Sequence, residues 1–262
     1  MKKFNFFRTL LSFKYSFIFF IVFSIIFLLA QKYKISKIYE MSVFDLVTDL
    51  TGQAGSSNMA ILVFLITPFV TFSILNYIDK QERYNKLLKM GSRKKVWTSN
   101  VISILYFSLL LTIIIVLGGY LFSGIILGSF ENSWVSEKGA FYELLEKEDK
   151  NNFDYYVVNL GTLKIISILF LTKFLGLSVL GILVAIMKTL LKNNFLVVIV
   201  ILLLSYIDGY FLQYSLLMQK MVINVNNWKN FLSIFINQIY LLILIFSFYF
   251  WGREIYSKKD FL

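Results

Sequence analysis

Residues able to do chemistry are scarce in this chain. It has no cysteine and no histidine, which removes thiolate metal sites, Fe–S clusters, disulfides and a cysteine nucleophile, together with the usual metal ligand and the usual general base. No G-x-x-x-x-G-K-[ST] run provides a backbone cradle and a Lys for ATP phosphates. The apolar run Leu202–Ile207 before Asp208 has the outline of a strand leading to a magnesium-binding Asp, but without the phosphate loop it reads as part of a membrane span. What remains are charges in apolar surroundings. Lys173 and Asp208 sit inside long hydrophobic stretches, where a charge is costly enough to mark a functional position. They could pair across the outer part of a pathway. The simpler reading is a snorkelling Lys and a span that ends at Asp208–Gly209. Pro68, the only proline, lies between Thr67 and Thr71; it removes a backbone hydrogen bond and is expected to kink its helix, for packing or for gating.

These residues need helices to hold them, and the composition says in what solvent. Of 262 residues, 58% are hydrophobic and 16% charged, a balance that a soluble enzyme could not bury. A spanning helix needs about 20 mostly apolar residues, since it alone satisfies its own backbone. Six such stretches are expected: Tyr15–Gln31, Met59–Ile78, Val101–Leu127, Thr162–Met187, Phe195–Tyr214 and Phe231–Trp251. The run after Met1–Lys14 has no small residues spaced for cleavage and reads as a retained span. The fold class is therefore an all-α polytopic membrane protein, one domain over 1–262.

Charge fixes the expected orientation. Lys and Arg crowd the N-terminal segment, the loop 79–100, the loop 188–194 and the C-terminal tail, whereas acids dominate the first and third loops. By the positive-inside rule both termini face the cytoplasm. The net charge of +11 is then mostly an orientation signal, and nucleic acid is not an expected partner. Residues 1–14 place Phe4, Phe7, Leu10 and Leu11 on one helical face, as in a helix lying among lipid headgroups. Glycines at 118, 119, 124, 128, 176 and 181 suit close helix packing. The loop 128–161 carries Phe141, Leu144 and Leu145 at amphipathic spacing among Glu143, Glu146 and Glu148; it could attract cationic amphipathic molecules, although a solvated loop is the simpler expectation.

The loop 79–97 is the most informative stretch. Asp79 with Arg83 and Glu82 with Lys86 are spaced i,i+4, and Tyr84, Leu87 and Leu88 form a narrow apolar stripe that predicts a short amphipathic helix. Gly91–Ser92 can end it, after which Arg93, Lys94, Lys95 and Trp97 suit the headgroup boundary.

The order Glu82-Arg83, Leu87-Leu88, Gly91-Ser92-Arg93-Lys94-Lys95-Val96-Trp97 resembles the loop between spans two and three of ABC-2 type permeases, the membrane subunits of one class of ABC transporter. The plan of an interfacial N-terminal helix, six spans, inside termini and a short loop between spans four and five is similar too. Ser99-Asn100, where the family often has Gly-Lys, and the long loop 128–161 depart from it. The resemblance implies a coupling helix at Glu82–Gly91, with Glu82, Arg83, Tyr84, Leu87, Leu88, Gly91 and Arg93 facing a separate ABC ATPase, and Lys188–Asn194 as a lesser contact. It implies a re-entrant turn after span five; the expected pathway residues, Thr67, Pro68, Thr71, Lys173 and Asp208, rest on the proline and the intramembrane charges themselves. It also implies no catalysis and no bound cofactor or metal on this chain, ATP and Mg on the ATPase, a second permease copy or similar partner, surrounding lipid, and a bacterial cytoplasmic membrane. The expected activity is export of an amphipathic substrate. A peptide such as a bacteriocin or toxin, exported or expelled for self-immunity, is favoured over a lipid or glycan. The rival is an ATP-independent carrier or a standalone immunity protein. An intramembrane hydrolase is disfavoured by the missing His and by the lack of paired membrane carboxylates.

Overall fold

The computed structural model describes residues 40–48, 50, 58–82, 92–191 and 193–258. The expected interfacial helix 1–14, the span Tyr15–Gln31 and coupling residues Arg83, Tyr84, Leu87, Leu88 and Gly91 lie outside them. Among the described residues the elements are helices, with no strand and one isolated bridge between Glu40 and Gly139.

Four helices are long and apolar enough to cross a bilayer: α2 (Met59–Gln81), α3 (Arg93–Leu127), α7 (Thr162–Leu191) and α10 (Phe231–Ser257). The chain is thus a membrane protein by the length and composition of its helices. A fifth apolar helix, α8 (Asn194–Tyr210), has 17 residues, or about 26 Å at 1.5 Å per residue, against a hydrocarbon core of about 30 Å. It ends four residues before the expected boundary at Tyr214. The smaller elements are α1 (Val43–Val47), α4 (Ala140–Glu143), α5 (Lys147–Lys150), α6 (Phe153–Val157) and α9 (Val225–Lys229).

Helix α7 is the axis of the bundle, packed by α2, α3, α8 and α10. Gly181 allows that closeness, because a Cβ there would lie 2.5 Å from Ile104 on α3 and 2.9 Å from Ile74 on α2. Helix α10 is the least enclosed of the four, and Phe235, Ile239, Ile243, Phe246 and Phe250 are exposed along it. In water such a face would aggregate; in a bilayer it meets lipid.

Two of the helices contain π turns. Leu62–Ile66 in α2 comes immediately before Thr67–Pro68, and Ile113–Gly118 lies inside α3. Pro68 has no N–H to give, and the wider turn ahead of it absorbs the change of register. There the Thr67 N–H reaches Leu62 O. The Thr67 hydroxyl donates to the same carbonyl at 2.8 Å and the Thr71 hydroxyl to Thr67 O at 2.8 Å. Both threonines are buried inside the bundle.

The loop 128–161 is not a solvated excursion. Together with α1 and α9 it folds into a cap with its own aromatic centre, in which Trp134, Phe141 and Trp228 are fully buried. Trp134 meets Trp228 edge-on at 6.1 Å and Phe44 at 5.5 Å. The amphipathic expectation holds for Phe141 and Leu145, which are buried, and fails for Leu144, which is exposed. The chain turns after Glu143 and leaves Leu144 on the far side.

Candidate functional site

At the basic end of the bundle, opposite the cap, the two borders of the stretch 83–91 converge on one place. Glu82 terminates α2 and accepts a 2.7 Å hydrogen bond from the Tyr256 hydroxyl. Arg93, in the first turn of α3, donates to Ser257 O at 3.1 Å. Both partners belong to the last turn of α10, 174 and 164 residues away in sequence. Apolar packing sets this geometry. Trp97 is fully buried and its indole N–H donates to Tyr249 O at 3.0 Å; its ring stands 5.7 Å from that of Tyr256. Gly252 makes room for the indole, since a Cβ there would be 2.2 Å from a ring carbon. Sequence spacing predicts Trp97 at the headgroup boundary with Arg93, Lys94 and Lys95. The three basic residues are exposed, but Trp97 turns inward, because in a helix it lies on the face that meets α10.

One helical turn away, Asp79 joins α2 to the end of α7 and the start of α8. Its carboxylate pairs with Lys188 at 2.9 Å and accepts from the Asn194 side chain at 2.7 Å, and the Lys188 ammonium also donates to Asn194. Deeper, the Tyr77 hydroxyl bonds Ser103 of α3 at 2.5 Å and accepts from Gln81 at 2.8 Å. The last two turns of α2 are therefore tied by polar contacts to α3, α7, α8 and α10. Sequence spacing could not join Asp79 to Lys188 and Asn194, or Glu82 to Tyr256, because these contacts cross between helices distant along the chain.

The intramembrane residues form a second group. Lys173 is 2% exposed and lies inside the bundle on α7, flanked by Thr172, which accepts from Gln238 of α10 at 3.0 Å. Asp208, 8% exposed, turns toward the chain that returns after α8. It accepts from the Ser215 hydroxyl at 2.9 Å and from the backbone N–H groups of Leu216, Leu217 and Met218 at 2.6, 2.9 and 2.6 Å. The carboxylate is the acceptor that a non-helical backbone in an apolar setting requires. This also explains the early end of α8: once the chain folds back onto Asp208 it cannot continue as a helix. The returning segment buries Leu217, Met218 and Met221.

The cap has its own electrostatics. Asp45 is 4% exposed and accepts from the Ser42 N–H at 2.8 Å and the Trp134 indole N–H at 2.6 Å. Burial outweighs these two donors and pushes its carboxyl up to about 6. Asp149 does the opposite. Its contact with the Lys229 ammonium on α9 holds its carboxyl below the usual carboxylate range and raises the Lys229 amine. Among the described residues, no cluster of three or more acidic side chains is arranged to hold a metal ion.

Comparison with protein-family models, curated proteins and solved structures finds no match for this chain.

Proposed function

We propose that the chain is the membrane subunit of an ATP-driven exporter of the ABC-2 permease type, and that Glu82–Gly91 is the lever on which a separate ATPase acts. The observation that carries this reading is the double tether: Glu82 and Arg93, on either side of 83–91, are both held by the last turn of α10. A displacement applied to that stretch would reach α2, α3 and α10 at once, and through Asp79 the end of α7 and the start of α8. Rigid-body movement of packed helices is the way such a push opens a pathway. In this reading the basic end lies in the cytoplasm of a bacterial cell, the cap lies outside, and ATP and Mg belong to the ATPase.

A second copy, or a similar permease, completes the pathway, and the broad apolar face of α10 suits contact with lipid or with that partner. The acidic residues exposed on the cap, among them Glu137, Glu146, Glu148 and Asp154, favour an amphipathic cationic peptide as cargo.

The test is purification from its native membrane in mild detergent, followed by ATPase measurements on the wild type, Glu82→Gln and Leu87→Ala. An ATPase is expected to accompany the wild type, and its cargo-stimulated rate to fall at least tenfold in the variants. No accompanying ATPase, or unaltered association and rate in both variants, would overturn the proposal.

A further inference from the structure

We propose that Asp45 is a proton-operated latch of the cap: protonated, it keeps α1 docked against the Trp134 loop and α3, and loss of the proton weakens that docking. The geometry singles out this residue. One carboxylate oxygen caps its own helix at the Ser42 N–H, and the other crosses to the indole N–H of Trp134, 89 residues further along the chain. The other hydrogen bonds across the same seam are neutral: the Ser133 hydroxyl to Glu40 O at 2.9 Å, the Glu40 N–H to Lys138 O at 3.3 Å, and the Ser42 hydroxyl to Glu131 O at 3.5 Å. The one ion pair there among the described residues, Glu40 with Lys138 at 4.0 Å, is solvent-exposed and therefore weak.

The surroundings isolate the group. Beside it on its own stretch is Glu40, which is exposed; the loop packed over it contributes Glu131, Glu137 and Lys138, all exposed. Helix α3 brings Tyr120, in ring contact with Phe44. Helix α9 brings Lys229, which is engaged by Asp149. Among the described residues, the hydrogen bonds to Asp45 come from Ser42 and Trp134. Phe44 and Val47 of its own helix and its partner Trp134 across the seam are buried with it.

The sign follows from linkage. Burial raises the docked carboxyl from 3.8 to about 6, so the docked state binds the proton more tightly than the undocked one. Docking is then strongest below about pH 4, weakens as pH rises toward 6, and stays weak above it. Two pKa units correspond to about a hundredfold change in the docking equilibrium.

The experiment uses the full chain in lipid nanodiscs. Amide exchange of residues 43–48, corrected for its intrinsic pH dependence, is followed from pH 4.5 to 8, alongside 19F spectra of protein carrying 5-fluorotryptophan. The wild type is expected to show one step with a midpoint near 6, with exchange up to about a hundredfold faster on the alkaline side. Asp45→Asn should abolish the step and hold α1 in its slow form throughout, while Glu137→Gln should keep it. Trp134→Phe retains an aromatic ring but removes the donor that favours the carboxylate, and should move the midpoint upward. A wild type without a step between pH 5 and 7, or a step that survives in Asp45→Asn, would overturn the latch. If Asp45→Asn does not fold, a midpoint that stays or falls in Trp134→Phe does the same.

Discussion

A carboxylate inside a membrane bundle needs donors, and Asp208 takes four from the chain that follows it. Its role in the structure is that of an anchor: it replaces the helical acceptors that the segment 215–218 lacks. Asp208→Ala should leave the three N–H groups of Leu216–Met218 without their acceptor and destabilise the protein by about 3 kcal/mol, whereas Asp208→Asn, which keeps one acceptor oxygen, should lose roughly half of that. Thermal unfolding in detergent, with amide exchange of residues 215–218, checks both. Gly252 depends on space instead. Since an added Cβ would meet the Trp97 ring at 2.2 Å, Gly252→Ala should lower the Tm through overpacking of about 1–3 kcal/mol. Trp97→Phe loses the bond to Tyr249 O and also the part of the buried indole that packs on Gly252, and should cost about 2–4 kcal/mol. An unchanged Tm in both variants would show that packing does not set this junction.

Among the elements, the cap and the basic end are fastened by different chemistry. On the cap, Lys229 of α9 and Asp149 form an ion pair that depresses the Asp149 carboxyl. The stabilisation it gives is present at neutral pH and is lost as pH falls below the ordinary carboxylate range of about 4. Acid should therefore first tighten α1 at Asp45, between about pH 6 and 4, and then loosen the α5–α9 link below about 4, and amide exchange of 43–48 and of 225–229 would register the two changes as opposite in direction. Exchange at both sites moving in the same direction would contradict this assignment. At the basic end, Asp79, Lys188 and Asn194 knot α2 to the end of α7 and the start of α8. Asp79 is partly exposed, so a double-mutant cycle of Asp79→Ala and Lys188→Ala should give a coupling of about 0.5–1 kcal/mol, reduced by salt. Helix α8 shows how elements overrule composition. Apolar residues run on past Tyr210, yet the helix stops there, because Asp208 offers the returning backbone a better partner than another helical turn.

For the whole molecule, the absence of cysteine is an experimental advantage. Single replacements Glu137→Cys on the cap and Lys258→Cys at the opposite end should react with a membrane-impermeant thiol reagent from opposite sides: the first in intact cells, the second only after permeabilisation. Labelling of both from one side would refute the proposed orientation. The class of the protein was legible in its composition, since 58% hydrophobic residues in runs of helical length leave the bilayer as solvent. The centres of α2, α3, α7 and α10 follow from the same runs, because hydrophobic burial depends on local apolar length and can be read one segment at a time. Lys173 and Asp208 were legible as charges out of place for the same reason. Which group each residue faces was not. Glu82 against Tyr256, Asp79 against Lys188, Asp45 against Trp134 and Asp208 against its own returning chain arise where helices remote in sequence meet, or where the backbone doubles back. A hydrogen bond has range and direction, so it exists only once packing has brought donor and acceptor within about 3 Å, and no periodicity along the chain encodes that meeting.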